Sequence, residues 1–391
     1  MFWMACAAVL FAIAGFPTVL LMERKLRQAK AAARLGIEGD CGIVEEGFVR
    51  IGGIEQWIGI RGEDRSNPVL LMLHGGPGCS YSIFTPRLRS WEKHFTVVQW
   101  DQRGGSRTGS RNGARNLDGI TFEQLTRDAI DVVEYLLARM GKERLFLLAS
   151  SIGSTFGILV ALRRPDLLYA YVGTDQNVGM RRGHEEEFQE TLARLRALEL
   201  WKGSKALEHA GADPEHWTAE DFNAVAQWTM RSDPQGYRRT IKLLKDAVWY
   251  APGWRLKDIR AFVSGMRHTL RTLLPEIVRY DAWKQGLRFE VPFFIFQGEH
   301  DVLTTPRLAK VMFDDVVAPM KRMALIPDAG HFAAFLQPDE FLRELLVDVR
   351  PLAELGEGER ALLAVRGADD CHNNIFRSSG RPLQSPASSA D

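Results

Sequence analysis

Residues 147–155 read LLASSIGST, an apolar run that ends in two adjacent serines, Ser150 and Ser151, followed by Gly153 and Ser154. A strand that breaks sharply into a helix presents a side chain at the turn, above the free N–H groups and positive dipole end of the new helix. Such a turn is tight, so the residues two before and two after the projecting side chain must be small. Ser150 is flanked at those places by Leu148 and Ile152, and Ser154 by Ile152 and Phe156. Ser151 is flanked by Ala149 and Gly153 and alone passes. Read in isolation, ASSIG is equally well a helix N-cap.

A serine hydroxyl is a weak nucleophile until a base takes its proton and a third group orients that base. In strand-turn-helix serine enzymes the partners follow in the order acid, then histidine, each in a loop after a later strand. FFIFQGEHDVLTTP offers Asp301 just past an apolar run, and MALIPDAGHFAAF offers His331 past the next one. Glu299 and Asp328 flank these loops as alternative carboxylates. Asp301 is favoured by its place one turn beyond the strand, and His300 faces away if Asp301 faces inward. Taken singly, Asp301 is an ordinary turn aspartate and His331 a loop histidine; it is the ordered trio that points to acyl transfer.

The oxyanion formed in that chemistry needs backbone N–H donors fixed in advance. HGGPG, residues 74–78, directly follows the apolar run PVLLMLH. Its glycines let the backbone approach closely. The N–H of Gly76 or of Gly75, together with that of Ile152, is the expected oxyanion hole.

Positioning these groups requires strand ends gathered at one edge. From about residue 45 the chain alternates strands with helices: a leading hairpin (GFVRIGG, EQWIGIR), then PVLLMLH (68–74), FTVVQWD (95–101), RLFLLAS (144–150) and YAYVGTD (169–175). Between the second and third of these, TFEQLTRDAIDVVEYLLARM has helical periodicity, with Thr121 as N-cap and Gly141 as its stop. The continuous apolar strands predict a mostly parallel sheet covered on both faces. Residues 179–287 lose the strand signal and read as an inserted helical cap, whose six tryptophans are read mainly as its core. VPFFIFQ (291–297) and KRMALIP (321–327) resume the alternation. The domain reading is therefore 45–178 and 288–352 as one α/β core, 179–287 as the cap, and 353–391 as a Ser/Pro/Gly-rich disordered tail.

The first 22 of the 391 residues carry no charged side chain, and ERKLRQAK follows. A helix of that length spans roughly 30 Å, a bilayer core. Basic residues after the apolar run, not before it, distinguish a stop-transfer flank from a cleaved signal. Residues 1–25 are thus expected to form a membrane anchor (membrane contact through residues 2–22), with 26–44 as a linker and the catalytic part in the cytoplasm; export is the alternative. A net charge of +1 gives no reason to expect nucleic acid. The four cysteines are scattered without a CxxC pair, so neither a zinc site nor a disulfide framework is implied.

HGGPG at 74–78, WDQRGGSRTG at 100–109, ASSIGS at 149–154, GEHDVLTTP at 298–306 and AGHF at 329–332 together resemble the α/β-hydrolases of the proline iminopeptidase-like group, over residues 45–350. The resemblance implies an α/β-hydrolase fold, a Ser151–Asp301–His331 triad, no metal or organic cofactor, and a small-molecule or short-peptide substrate. It also places Asp101–Gly104 beside the site, where Asp101 and Arg103 read as structural. Members that remove N-terminal proline hold the substrate amine with cap glutamates beside a Trp-Glu pair. The cap here contains no Trp-Glu, and Glu185, Glu186, Glu187 and Glu190 read as a solvated helix face. The expected activity is a proline iminopeptidase-like aminopeptidase; a carboxylesterase or small-amide hydrolase, and a catalytically idle membrane-tethered binding protein, are the alternatives.

Overall fold

The computed structural model describes residues 16–113, 119–356, 358–359 and 375–378. Its centre is a sheet of nine strands: β1 (Ile43–Ile51), β2 (Ile54–Gly62), β3 (Val69–Leu73), β4 (Thr96–Asp101), β5 (Leu145–Ser150), β6 (Leu168–Thr174), β7 (Phe293–Gly298), β8 (Lys321–Ile326) and β9 (Ile375–Ser378). They lie in the order β1-β2-β4-β3-β5-β6-β7-β8-β9. The leading hairpin is antiparallel and joins β4 antiparallel; every pairing from β4 to β9 is parallel.

The apolar runs are strands because both faces of the sheet are covered. Leu71, Leu73, Leu147, Ala149 and Ile295 point to one side, into a cluster with the helix Phe122–Met140. Leu70, Met72, Phe146, Leu148, Phe294 and Phe296 point to the other, against Trp91 and Phe341. All are at most 1% exposed, as expected of strands covered on both faces. The helix Phe122–Met140 starts where its cap residue dictates, with the Thr121 hydroxyl accepting from Gln124 N, and ends at Gly141 in the left-handed conformation.

The cap comprises helices His184–Ala197, Trp201–Ala210, Ala219–Arg231, Pro234–Tyr250 and Leu256–Arg279. It has a small core of its own, in which Phe188, Leu192, Leu195, Leu207, Trp217 and Val225 are buried. The longest helix, Leu256–Arg279, ties it to the sheet by burying Leu270, Leu273, Leu274, Ile277 and Val278 in the main cluster. Of the six tryptophans, Trp217 and Trp254 are buried, while Trp201 is 59% exposed and lies outside any core.

Two expectations change. The supposed linker is helical as far as Arg34: Phe16–Arg34 is one helix. It docks on the cap through Arg24, whose Nη2 donates to Trp254 O at 2.7 Å, and Gln28, whose amide donates to the carbonyls of Ala251 and Trp254. Polar side chains donating to the carbonyls of the 251–254 turn give the helix a partner that a flexible linker lacks. In the tail, Ile375–Ser378 pairs parallel with β8, because a β8 edge offers free backbone groups to any extended segment. No helix among the described residues is long and apolar enough to cross a membrane. Most of the expected anchor, residues 1–15, lies outside the described residues, as does most of the tail.

Candidate active site

Strands β5, β6, β7 and β8 end side by side, and their following loops converge. Ser151 follows β5 at the turn into the helix Ile152–Arg163. Its backbone is strained, with φ of +55°, which projects the hydroxyl away from the sheet. The small residues demanded around it are explained by contact. A Cβ on Gly153 would lie 2.5 Å from Leu73 O and 2.6 Å from His74 O, so the helix can press on the end of β3 only because that position is glycine.

His331 and Asp301 meet Ser151 as one line. His331 Nε2 lies 3.2 Å from Ser151 Oγ, and His331 Nδ1 lies 2.9 Å from Asp301 Oδ2. Asp301 is buried and held on all sides: Oδ1 accepts from the N–H groups of Leu303 (2.8 Å) and Thr304 (3.1 Å), and Oδ2 from Thr304 Oγ1 (2.7 Å) and Gln297 Nε2 (3.1 Å). The rival carboxylates are elsewhere. Glu299 sits 3.8 Å from the exposed His300, and Asp328 is 71% exposed beside Arg239. Burial disfavours charge on His331, but the Asp301 and Asp175 carboxylates and the Asp301 hydrogen bond outweigh it and hold the imidazole up at about 9.

The glycine loop lies directly against the serine. A Cβ on Gly75 would come within 2.6 Å of Ser151 Cβ and 3.2 Å of its Oγ. The loop is strapped by His74, a role the sequence did not disclose. Its Nδ1 donates to Gly75 O at 2.8 Å and its Nε2 accepts from Gln102 N at 3.2 Å, while the Gln102 amide donates to His74 O. That pattern requires a neutral ring, and burial depresses its pKa to about 4. The DQRG segment is structural, as its residue types suggest. Asp101 accepts from Ser80 Oγ and Arg107 N, and Arg103 pairs with the buried Asp128 at 3.1 Å.

Sequence reasoning also missed Asp175. It ends YAYVGTD at the carboxyl end of β6, next to the serine's strand. An acid closing an otherwise apolar parallel strand was the available signal. Ser150, rejected as nucleophile, donates to it at 2.8 Å and accepts from Tyr81 OH at 2.7 Å.

Comparison with known proteins identifies the family to which this fold belongs. The family model described as the alpha/beta hydrolase fold matches residues 68–338, more than half the chain. The chain belongs to the alpha/beta hydrolase fold family. It is 27% identical over 306 residues to the probable aminopeptidase YbaC of Bacillus subtilis (strain 168), covering 75% of this chain and 93% of that relative. It is 23% identical to the proline iminopeptidase of Saccharolobus solfataricus, covering 76% and 90%. Among solved structures, the proline iminopeptidase of Mycobacterium smegmatis superposes with a TM-score of 0.53 at 19% identity, over 84% of this chain and 99% of that one. These place this hydrolase in the proline iminopeptidase-like group of its family.

The cap closes one side of the site. A cleft of about 540 Å³ opens between it and the loops after β7 and β8, lined by Glu187, Glu190, Arg194, Arg239 and Arg307 and passing behind Asp301. Ser151 is not among its walls, so this charged cleft is flanking space rather than the reaction chamber. The glutamate run is not simply solvated: Glu187 accepts from Thr305 Oγ1 at 2.8 Å and pairs with Arg307, Glu186 also pairs with Arg307, and Glu190 lies 3.8 Å from Arg194.

Proposed function

We propose that the chain is a serine hydrolase that cleaves an amide or ester bond through an acyl-enzyme. Ser151 attacks the carbonyl carbon as His331 Nε2 takes its proton. Asp301 orients the imidazole and stabilises the imidazolium. The N–H of Ile152, with that of Gly76 or Gly75, receives the oxyanion. His331 then returns the proton to the leaving group, and water, activated by the same imidazole, releases the acyl product. The single observation carrying this reading is the hydrogen-bonded line from Ser151 Oγ through His331 to Asp301. Covalent labelling by a fluorophosphonate probe tests it: the wild type should label at Ser151 and Ser151→Ala should not, whereas an idle binding protein leaves both unlabelled.

For the substrate, similarity to a probable aminopeptidase and to a proline iminopeptidase favours a short peptide, with N-terminal proline on the strength of the second. A second reading, an ester or small amide without a free amine, is favoured by one observation: Glu186, Glu187 and Glu190 are engaged by arginines and are not held open for a cation. Parallel turnover of proline naphthylamide and p-nitrophenyl esters separates the two. Rapid proline release with little ester cleavage removes the second reading, and the reverse removes the first. Attachment to a membrane through residues 2–22 is supported by the uncharged run ahead of Glu23; protease protection in sealed vesicles tests it and the side of the membrane.

A further inference from the structure

Among the described residues, three of the five non-glycine residues with positive φ meet at one point: Ser151 (+55°), Asp175 (+48°) and Phe332 (+74°). Strain of this kind persists only where surrounding contacts over-determine the backbone. Several of those contacts run through Asp175. Its carbonyl oxygen and that of Thr174 share the N–H of Ser151, each at 3.1 Å. Its Oδ2 accepts from Ser150 Oγ, and its Oδ1 accepts from the N–H groups of Phe332 (3.1 Å) and Ala333 (3.4 Å), the two residues after His331. One fully buried residue therefore joins the turn that carries the nucleophile to the turn that carries the base. Oxygens of Asp175 and Asp301 and a ring nitrogen of His331 lie within 4.8 Å of one another.

We infer that Asp175 is a second carboxylate acting on His331, a positioning residue that locks the histidine turn against the nucleophile turn and adds its charge to that of Asp301. The inference rests on the serine-hydrolase reading and extends it. Every hydrogen-bond partner of the Asp175 side chain is a donor, which suits a carboxylate and not an acid that must itself donate. Tyr81 completes the chain: its hydroxyl must donate to Ser150, since the Ser150 proton is committed to Asp175. The titratable groups facing His331 are Asp301, from the loop after β7, and Asp175, from the end of β6. Those facing Asp175 are His331, Asp301 and, through Ser150, Tyr81 from the segment Tyr81–Arg87. Burial, with the like charge of Asp301, raises the Asp175 pKa above the ordinary carboxylate value, and the neighbouring imidazole and the hydrogen bonds from Ser150 and Ala333 work against that rise. A base flanked by two carboxylates holds its proton harder than one flanked by a single carboxylate.

The experiment is the pH dependence of kcat/KM for wild type, Asp175→Asn and Ser150→Ala, each first checked for folding by circular dichroism and for Ser151 labelling by fluorophosphonate. Asp175→Asn keeps the shape and removes the charge. Its acidic limb should move to lower pH by about one unit, with kcat reduced and KM little changed. Ser150→Ala withdraws a donor from Asp175 and leaves its charge less neutralised, so its limb should move the opposite way; this variant carries the test if Asp175→Asn does not fold. Folded, labelled variants whose limbs coincide with that of the wild type overturn the role of Asp175 and leave the triad standing. Absence of labelling in the wild type overturns both.

Discussion

The convergent strand ends and the cap are built on opposite terms. At the strand ends, Asp175 and Asp301 are buried and ringed by donors, and backbones touch across glycine: Gly153 against Leu73 and His74, Gly75 against Ser151. In the cap, helices share a core of six buried side chains, and its contact with the loop after β7 is made by exposed ion pairs such as Arg307 with Glu186. Chemistry that needs tenths of an ångström belongs in the first region, and selection among substrates that share a carbonyl belongs in the second.

The largest effects should come from breaking the line at the strand ends. Ser151→Ala is expected to lower kcat by about 10⁵-fold or more, and Asp301→Asn by about 10⁴-fold. Ser151→Ala should leave the thermal midpoint within a few degrees, since it empties no packed core, whereas Asp301→Asn should lower it, since it withdraws the buried charge that stabilises the protonated His331. Steady-state kinetics beside calorimetry checks both; an Asp301→Asn enzyme with near-wild-type kcat would mean that Asp175 alone suffices as counter-ion.

Gly75→Ala tests the close approach without touching a titratable group. Its Cβ would press on Ser151 from 2.6 Å, so the nucleophile or the loop must shift. We expect a kcat loss of roughly 100-fold, the scale of an ångström's misplacement, with KM little altered. Wild-type kcat in this variant would show that the site is looser than its packing implies.

The pH dependence follows from His331. A base works only when deprotonated, and this one is held up to about 9. In the unligated enzyme kcat/KM should therefore still be climbing between pH 7 and pH 9. Because the folded state raises this pKa, its contribution to stability is complete below the ordinary histidine value and is lost as pH rises through about 9. Urea titrations of wild type and His331→Ala at pH 6 and pH 10 should differ more at pH 6; equal differences would show that the imidazole gains nothing from its carboxylates.

The same contrast explains what the sequence disclosed. Sheet and turn positions were legible because each is forced by short-range rules: PVLLMLH and RLFLLAS are apolar because both faces are covered, and Ala149 and Gly153 are small because nothing larger fits. Asp175 was hidden because its partners, Ser150, Phe332 and Ala333, are brought together only by the parallel pairing of β5 and β6 and the return of the chain after β8. The strap at His74 was hidden likewise, since its acceptor role depends on Gln102 in another loop. The docked helix over 26–34 was read as linker because its few anchoring side chains, Arg24 and Gln28, carry no periodic apolar signal. In the cap, spacing indicated helices but not which glutamates Arg307 would claim.

Arg307→Ala has the smallest expected effect and bears most directly on the cap. It releases Glu186 and Glu187 from their shared partner while Thr305 still holds Glu187. Pairs this exposed contribute little to stability, about 0.2–1 kcal/mol, so the denaturation midpoint should barely move and fluorophosphonate labelling of Ser151 should proceed at the wild-type rate. What should change is selection. Two carboxylates freed beside the cleft raise its negative potential and favour substrates with a free amine, lowering KM for proline naphthylamide by a few-fold relative to a neutral p-nitrophenyl ester. A ratio of the two KM values unchanged by Arg307→Ala would detach the cleft from substrate choice.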